Sequence, residues 1–428
     1  MRMKVFKFGG ASVKDADAVR NVASIVHMHA GHKLGVVISA MGKTTDAMEL
    51  IVEALCKRDE LLFMERVDER EQFHKEILRQ LFTDTNHSIY REVEVEFSAL
   101  REMFKAPIPE NFDFEYDQVV SLGEVVSTRI VNAYLQSEGV KSGWADARKL
   151  VRTDNKYREG EVDWNRTEAL FQERFLPRFE ECNVLVTQGF VGHTAEGFTT
   201  TLGREGSDFS AGIMAYCSNA NDVTIWKDVP GMLNADPKWF DNTIKLDRIS
   251  FREAIELAYY GASVIHPKTI KPLQNKEIPL YVKSFVEPEA EGTIVHSSTL
   301  SDNLIPSFIF KMNQTLFSFT PKDFSFLVEK NLSDIFARLD EANAKINIMQ
   351  NSALNFSILV DGEKIDVERI KALFHDSYHV KYNENLELVT IRHYDQPTIE
   401  RVTRDKDILL QQTTRETTRL VVKDRITL

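Results

Sequence analysis

Four short segments of this 428-residue chain concentrate groups suited to handling anions. The first is Lys7-Phe8-Gly9-Gly10-Ala11-Ser12. Adjacent glycines let backbone N–H groups approach an anion closely, and a helix N-terminus downstream favours negative charge. Lys7 stands where it could balance phosphoryl charge, although a tight turn beside a surface lysine gives the same pattern. The second segment is Thr199-Thr200-Thr201-Leu202-Gly203-Arg204-Glu205-Gly206-Ser207-Asp208. Arg204 offers a planar fork for a carboxylate or phosphate. Asp208 could hold a lysine or a magnesium ion. The helical pattern from Ser210 to Tyr216 makes this a second loop feeding a helix. The third is Trp226-Lys227-Asp228-Val229-Pro230-Gly231, followed by Asp236-Pro237-Lys238. It combines a strand end with a turn, the place where open α/β sheets bind ligands, and a plain turn reads the same way. The fourth is Glu124 in Ser-Leu-Gly-Glu, an acid on an otherwise apolar helix, which is also how a satisfied core carboxylate looks. Neither a GxxxxGK[ST] loop nor a GxGxxG fingerprint occurs. His266 before Pro267 reads as a structural histidine at a turn.

The elements that must position these groups alternate between strand and helix. Met3–Phe8, Gly35–Ser39, Asn183–Gly189 and Val223–Trp226 are short apolar runs that read as buried strands. A helix is expected from about Ala16 to Ala30 and another from Gln118 to Gln136. Residues 44 to 106 read as long charged helices with Leu55, Leu61, Leu62 and Val67 recurring at helical spacing. Pro107 and Pro109 end that layer. The rhythm predicts a mainly parallel sheet sandwiched by helices up to about residue 296. Ser297–Pro306 reads as a linker. Beyond it, strand 316–322, helix 327–342, strands 346–350 and 355–361, helix 367–376 and strand 386–394 give the ferredoxin-like β-α-β-β-α-β order. Residues 395 to 428 read as a strand-like or irregular tail.

Composition narrows the function classes. Against 53 basic residues stand 65 acidic ones, for a formal charge of −12. An acidic surface is repelled by phosphate, which argues against nonspecific nucleic acid or anionic membrane partners. The three cysteines, Cys56, Cys182 and Cys217, are far apart and form no CxxC pair. That argues against a zinc ribbon or disulfide framework and fits a reducing compartment. No run of about 18 apolar residues occurs. The opening MRMKVFKFGG has no apolar signal-peptide core. A cytoplasmic location is the expectation.

Taken together and in order, the segments resemble the aspartate kinases of the amino-acid kinase superfamily. KFGGAS is followed by SAMGKTTD at 39–46, SLGE at 121–124, TQGF, TTTLGREGSD, IWKDVPG, DPK, SFREAIELAYYGASVIHP and EGTIV. The resemblance runs from about residue 3 to 296. Residues 305–428, with IMQNSA at 348–353, resemble the ACT regulatory region of that family. It implies domains at 1–296 (catalytic) and 305–428 (regulatory, one nearly complete unit plus a truncated second). It implies transfer of the γ-phosphoryl of ATP, with magnesium, to the β-carboxylate of L-aspartate, the first step toward lysine, threonine and methionine. It implies Lys7 and Asp208 as catalytic groups, with Gly9, Gly10 and Ser12 as the phosphate cradle. Ser39, Thr45, Glu124, Phe190, Arg204 and Ser207 match positions around the substrate, Glu124 facing its ammonium and Arg204 its α-carboxylate. Lys227, Asp228 and Lys238 fall where the nucleotide rests. A homodimer through the ACT region is expected, with Leu386–Tyr394 and the VVKD of the tail as pairing candidates.

The chemistry agrees with this inventory. An aspartate carboxylate is already ionised at pH 7, so no general base is required. The reaction needs charge neutralisation and alignment of two anions. Five positions depart from the family pattern: Ala11, Glu205, Lys227, Leu233 and Ser263. They sustain two other readings, a regulatory homologue that binds amino acids without phosphoryl transfer, and a kinase of another acidic amino acid. The glycine-free stretch Pro321–Phe326 and the truncated second unit together predict weak feedback inhibition by lysine and threonine.

Overall fold

The computed structural model describes residues 3–107, 111–240, 242–262, 265–302, 305–323 and 325–425. Two compact units emerge, one of residues 1–232, 245–259 and 263–302, the other of residues 233–244, 260–262 and 303–428. The larger unit begins with β1 (Lys4–Phe8), α1 (Ala16–Met28) and β2 (Leu34–Ile38). Asp15 starts α1 by accepting the Ala18 N–H at 2.8 Å. The helical layer follows as α2 (Thr44–Cys56), α3 (Glu60–Leu81) and α4 (Ser88–Met103). Leu55 and Val67 are buried in it, whereas Leu61 is 86% exposed, one position out of phase with the apolar stripe. Next come α5 (Phe112–Val120), α6 (Leu122–Ser137), β3 (Ser142–Ala145) and α7 (Trp164–Leu170). The single helix expected over 118–136 is therefore two. Ser121 separates them, its hydroxyl turned back to the Gln118 carbonyl at 3.3 Å.

The unit continues through β4 (Val184–Gln188), β5 (Val191–His193), β6 (Thr199–Thr201), α8 (Gly206–Ser218) and β7 (Asp222–Lys227). It closes with β8 (Arg248–Ser250), α9 (Phe251–Tyr260), α10 (Pro267–Asn275), β9 (Leu280–Ser284) and β10 (Thr293–His296). Eight strands form one sheet in the order β3-β4-β2-β1-β7-β9-β10-β8. Every neighbouring pair is parallel except β9 with β10. β2 and β4 are buried along their whole length, as strands covered on both faces must be. β1 sits near the centre, with Phe8 stacked on Trp226 of β7 at 6.0 Å between centroids. This places the C-terminal ends of β1, β2, β4 and β7 side by side, which is where the four sequence segments lie.

The smaller unit holds β11 (Ser307–Pro321), α11 (Glu329–Glu341), β12 (Ile346–Asn351), β13 (Phe356–Asp361), α12 (Val367–Phe374) and β14 (Tyr378–Arg392). These carry the expected β-α-β-β-α-β order. The tail is not irregular: it forms α13 (Gln396–Thr403), β15 (Lys406–Thr413) and β16 (Thr417–Asp424). All six strands make one antiparallel sheet, β12-β13-β11-β14-β16-β15. β11 and β14 are 15 residues long and cross both halves. The register of the pair shifts around Gln314, and Asn313 and Asn385 take positive φ of 53° and 58° there. The second half is thus built from the outer ends of β11 and β14 with α13, β16 and β15.

Two expectations about this region change. The second half is not the bare remnant that the tail suggested, so that ground for weak feedback inhibition falls away. Phe324, in the loop that carried the other ground, lies outside the described residues, while Phe326 is 70% exposed. Leu386–Tyr394 and VVKD are not open for pairing either. Both lie inside the sheet, β14 between β11 and β16, and β16 between β14 and β15. The edges are β12 and β15. Residues 233–244, placed before the linker, pack here: Phe240 stacks on Phe308 at 4.5 Å, and Asn234 Nδ2 donates to the Pro306 carbonyl at 2.9 Å.

Candidate active site

A cavity of about 870 Å³ opens at the C-terminal ends of the central strands. Lys7, at the end of β1, points its ammonium at Asp208 in the first turn of α8, Nζ to Oδ1 2.6 Å. Both are nearly out of solvent, Lys7 8% and Asp208 1% exposed. Lys227, the last residue of β7, lies 3.6 Å from the other oxygen of Asp208. Burial by itself would raise the Asp208 carboxyl, but the two ammonium groups outweigh it and hold the group below its ordinary range. One buried carboxylate therefore fixes two cations from the adjacent strands β1 and β7, of which Lys7 lines the cavity and Lys227 does not.

Gly10 lines the cavity beside Lys7 and allows a close backbone approach. A Cβ there would stand 2.8 Å from the Gly42 carbonyl oxygen and 2.9 Å from that of Ala40. Gly9 and Ser12 do not line it; Ser12 is buried, its N–H donating to the Gly9 carbonyl at 2.9 Å. The helix expected to start after the Thr-rich loop begins earlier, at Gly206, so Ser207 and Asp208 belong to its first turn. Glu205 precedes it in the left-handed region, φ 57°. The three threonines are strand β6, not a loop. Thr201 donates its N–H and its hydroxyl to Asp117 at 2.9 and 2.6 Å, and Thr200 pairs with the Thr153 hydroxyl at 2.7 Å. Their work is to hold the cavity wall.

Around the rest of the cavity stand Ser39, Thr45, Glu124, Phe190, Arg204 and Ser207. All six substrate-side candidates are thus brought together. Phe190 has φ 69° and its N–H donates to the Ser210 hydroxyl at 2.8 Å. Gly206 makes room for its ring, since a Cβ there would come within 2.6 Å. Arg204 is exposed and has no ion-pair partner among the described residues, leaving its fork available. Glu124, on the first turn of α6, is 2% exposed. One of its oxygens is 3.4 Å from the Ala40 N–H; the other, Oε2, is buried without a partner. Burial pushes this carboxyl up to about 8, against the downward pull of backbone N–H groups and of Lys7. A buried carboxylate oxygen with no partner, facing a polar cavity, is a receptor for a cation.

Of the three nucleotide-side candidates, two lie apart from the cavity lining and from Asp208. Lys227 joins the site through Asp208. Asp228 is exposed and outside the cavity lining. Lys238 is exposed and belongs to the smaller unit, as does Leu233. Ser263 lies outside the described residues.

The cavity also uses residues that the sequence did not announce. Its outer half is lined by Asn111, Asp113 and Tyr116 on one side and by Asn155 to Glu159 on the other. Arg158 joins the two, its guanidinium 3.3 Å from Asp113 and over the Tyr116 ring at 4.3 Å. Its N–H donates to Asp117 at 2.9 Å. Asp117 is fully buried and accepts three such bonds, and burial still pushes it up to about 6. An acid flanked by aromatics in FDFEYDQ was the available signal; its partners 41 and 84 residues away were not readable.

Residues 2–284 match the model of the amino acid kinase family. The chain belongs to that family. Lysine-sensitive aspartokinase 3 of Escherichia coli is 33% identical over 358 residues, covering 83% of this chain and 78% of that enzyme. The chain therefore stands among the aspartokinases. Two crystal structures of aspartokinase III from E. coli superpose on it at 28% identity. The complex with lysine and aspartate gives a TM-score of 0.80, covering 98% of this chain and 95% of the other. The complex with aspartate and ADP gives 0.77, with 98% and 96% covered. The mainly parallel sheet sandwiched by helices, with a separate antiparallel unit, is the fold expected of this family. No helix among the described residues is long and apolar enough to cross a membrane.

Proposed function

We propose that this aspartokinase transfers the γ-phosphoryl group of ATP to the β-carboxylate of L-aspartate, with the roles distributed as follows. The observation that carries this reading is the arrangement in one cavity of Lys7 on Asp208, of Arg204 without an ion pair among the described residues, and of Glu124 with its free oxygen, with Lys227 joined to the same Asp208 from outside the lining. The two lysines neutralise the transferring phosphoryl group, and Gly10 lets the backbone approach it. Asp208 positions both cations. Arg204 takes the α-carboxylate of the substrate and Glu124 its α-ammonium, while Ser39, Thr45, Ser207 and the Phe190 ring shape the space between. The lysines held on Asp208, which binding of an amino acid alone would not need, favour phosphoryl transfer over the non-catalytic regulatory reading.

No group of three or more His, Cys, Asp or Glu among the described residues could hold a metal ion. Asp208, the buried carboxylate at the phosphate end, is committed to two lysines. Magnesium therefore fits as part of the nucleotide substrate, held by phosphate oxygens and water, where it supplies further charge neutralisation. The enzyme's own contribution is placement of two anions against each other, worth several powers of ten without any proton transfer.

The test is ATP- and aspartate-dependent formation of aspartyl hydroxamate; no product with both substrates present would overturn the assignment. Arg204→Lys keeps the charge but loses the planar fork. It should raise KM for aspartate by about tenfold or more, equivalent to about 1.4 kcal/mol, and leave KM for ATP unchanged. A change confined to ATP would move Arg204 to the nucleotide side.

The larger unit is assigned to catalysis, the smaller to regulation, and the protein to the cytoplasm. A homodimer through the smaller unit is supported by exposed apolar side chains on its edge strands, which meet within the chain only through Gln412 Nε2 donating to the Met349 carbonyl at 3.3 Å among the described residues. Ile408 and Leu409 on the edge strand β15 are 44% and 42% exposed, and Met349 on the opposite edge 53%. Such edges are commonly covered by a partner. Light scattering at micromolar concentration should give about twice the chain mass of 49.1 kDa. A monomer there would refute it.

A further inference from the structure

A second cavity, of about 330 Å³, lies in the larger unit between helices α7, α8 and α10. No residue lining it lines the 870 Å³ cavity. The two share helix α8, whose first turn gives Gly206, Ser207 and Asp208 to the active site, while Phe209 and Tyr216 face this groove. Trp164 stands between those two rings, 6.1 Å from Phe209 and 5.0 Å from Tyr216, edge-on to each. Pro272 of α10 completes the apolar wall. The wall is rigid where α8 meets α10, because Gly212 brings the helices together so closely that a Cβ would lie 3.0 Å from the Thr269 carbonyl oxygen.

The rim is cationic. Lys268 and Lys271, one turn apart on α10, line the groove, are exposed and have no ion-pair partner among the described residues. Lys276 nearby is already engaged, by Glu168 at 2.8 Å and by the face of Tyr216 at 3.9 Å. An aromatic floor with two exposed ammonium groups at its edge, Lys268 within electrostatic reach of Glu159 but neither lysine in an ion pair among the described residues, is complementary to a flat ring that carries a negative charge. The volume is at the lower end for ligand pockets and suits a one- or two-ring molecule. An extended polymer would not be confined by it.

We propose that this groove is a second ligand site, separate from the phosphoryl-transfer site, which takes a small aromatic anion with its ring against Trp164 and its charge toward Lys268 and Lys271. Carboxylate and phosphate share the required chemistry, so both are tested. Isothermal titration of the full chain with indole-3-acetate, phenyl phosphate and the neutral indole-3-acetamide reads the site directly. Saturable binding of at least one anion is expected, about tenfold tighter than the amide. Lys268→Gln with Lys271→Gln, two surface changes, should weaken it by about tenfold, and Trp164→Ala by a similar factor. Preference for one anion over the other identifies the charged group. Absence of saturable binding of either anion up to about 5 mM overturns the proposal. So does equal binding of the amide, or affinity unchanged in the double lysine variant.

Discussion

Replacing Lys7 by alanine is expected to lower kcat by about 10²–10³-fold, the usual cost of removing one preorganised group that stabilises charge in a transition state. The side chain is buried at the end of a central strand and held 2.6 Å from Asp208, so its position is set before substrate arrives. Loss of the ammonium leaves Asp208 with Lys227 at 3.6 Å as its cation. A buried carboxylate that loses half its compensation is less comfortable ionised, so part of the loss will come from displaced Lys227. Lys7→Arg should not restore turnover, because the guanidinium is longer and planar where a compact point charge fits. KM for aspartate should rise less than kcat falls, since Arg204 and Glu124 remain and Lys7 is the smallest of the pulls that lower the Glu124 carboxyl. Circular dichroism and the thermal midpoint establish that the variant is folded. Turnover within about threefold of the parent in a folded Lys7→Ala protein would remove Lys7 from the transfer step.

The same residues show what a sequence can and cannot disclose. Lys7, Gly10, Glu124, Arg204 and Asp208 were marked by their segments, but each segment alone also fits a turn or a satisfied core acid, and their roles were legible only from the collinear order of the segments. The parallel sheet was legible because buried strands of five or six apolar residues alternate with helices. Asp117 was not, because its function depends on Thr201 and Arg158, and no local pattern records that contact. The threonine run was read as a loop because three hydroxyls look polar. In the fold they are a buried strand, with Thr200 and Thr201 satisfied by Thr153 and Asp117. The second half of the smaller unit was missed for two physical reasons. One is that α13 is short and starts on a proline: Pro397 stands in its first turn, where the missing N–H costs nothing, and Asp395 caps it. The other reason is that β11 and β14 each serve both halves, so the strands needed to complete the second half stand earlier in the chain than the tail. Lys238 was placed on the nucleotide side by the family resemblance alone; it clusters with the smaller unit and does not line the cavity, because the chain leaves the larger unit after residue 232.

Glu124 leads to the prediction with the widest experimental range. Its carboxyl has one oxygen without a partner and a pKa pushed up to about 8 by burial. At pH 7 it is therefore mostly protonated. An α-ammonium group brought to that oxygen favours the carboxylate, so binding of aspartate must expel the proton. The sign follows: below about pH 8 aspartate affinity rises with pH, and above it affinity levels off. The same shift acts on stability in the opposite direction. The unfolded chain releases this proton near pH 4.3, so between about 4.3 and 8 the native protein binds more protons, and stability falls as pH rises through that window. For one coupled proton, KM for aspartate at saturating ATP should drop about 50-fold between pH 6 and pH 8. Asp117, pushed up to about 6, titrates at the low end of this range, but it is bonded to Thr201 and Arg158, not to the open cavity. Its titration should alter kcat through the cavity wall more than KM. Glu124→Gln isolates the effect, because the amide keeps the shape and cannot ionise. In that variant KM should be high at every pH and nearly flat, with the pH dependence of kcat retained. A KM that is independent of pH in the parent, or one that keeps its slope in Glu124→Gln, would show that the free oxygen of Glu124 does not meet the substrate's ammonium.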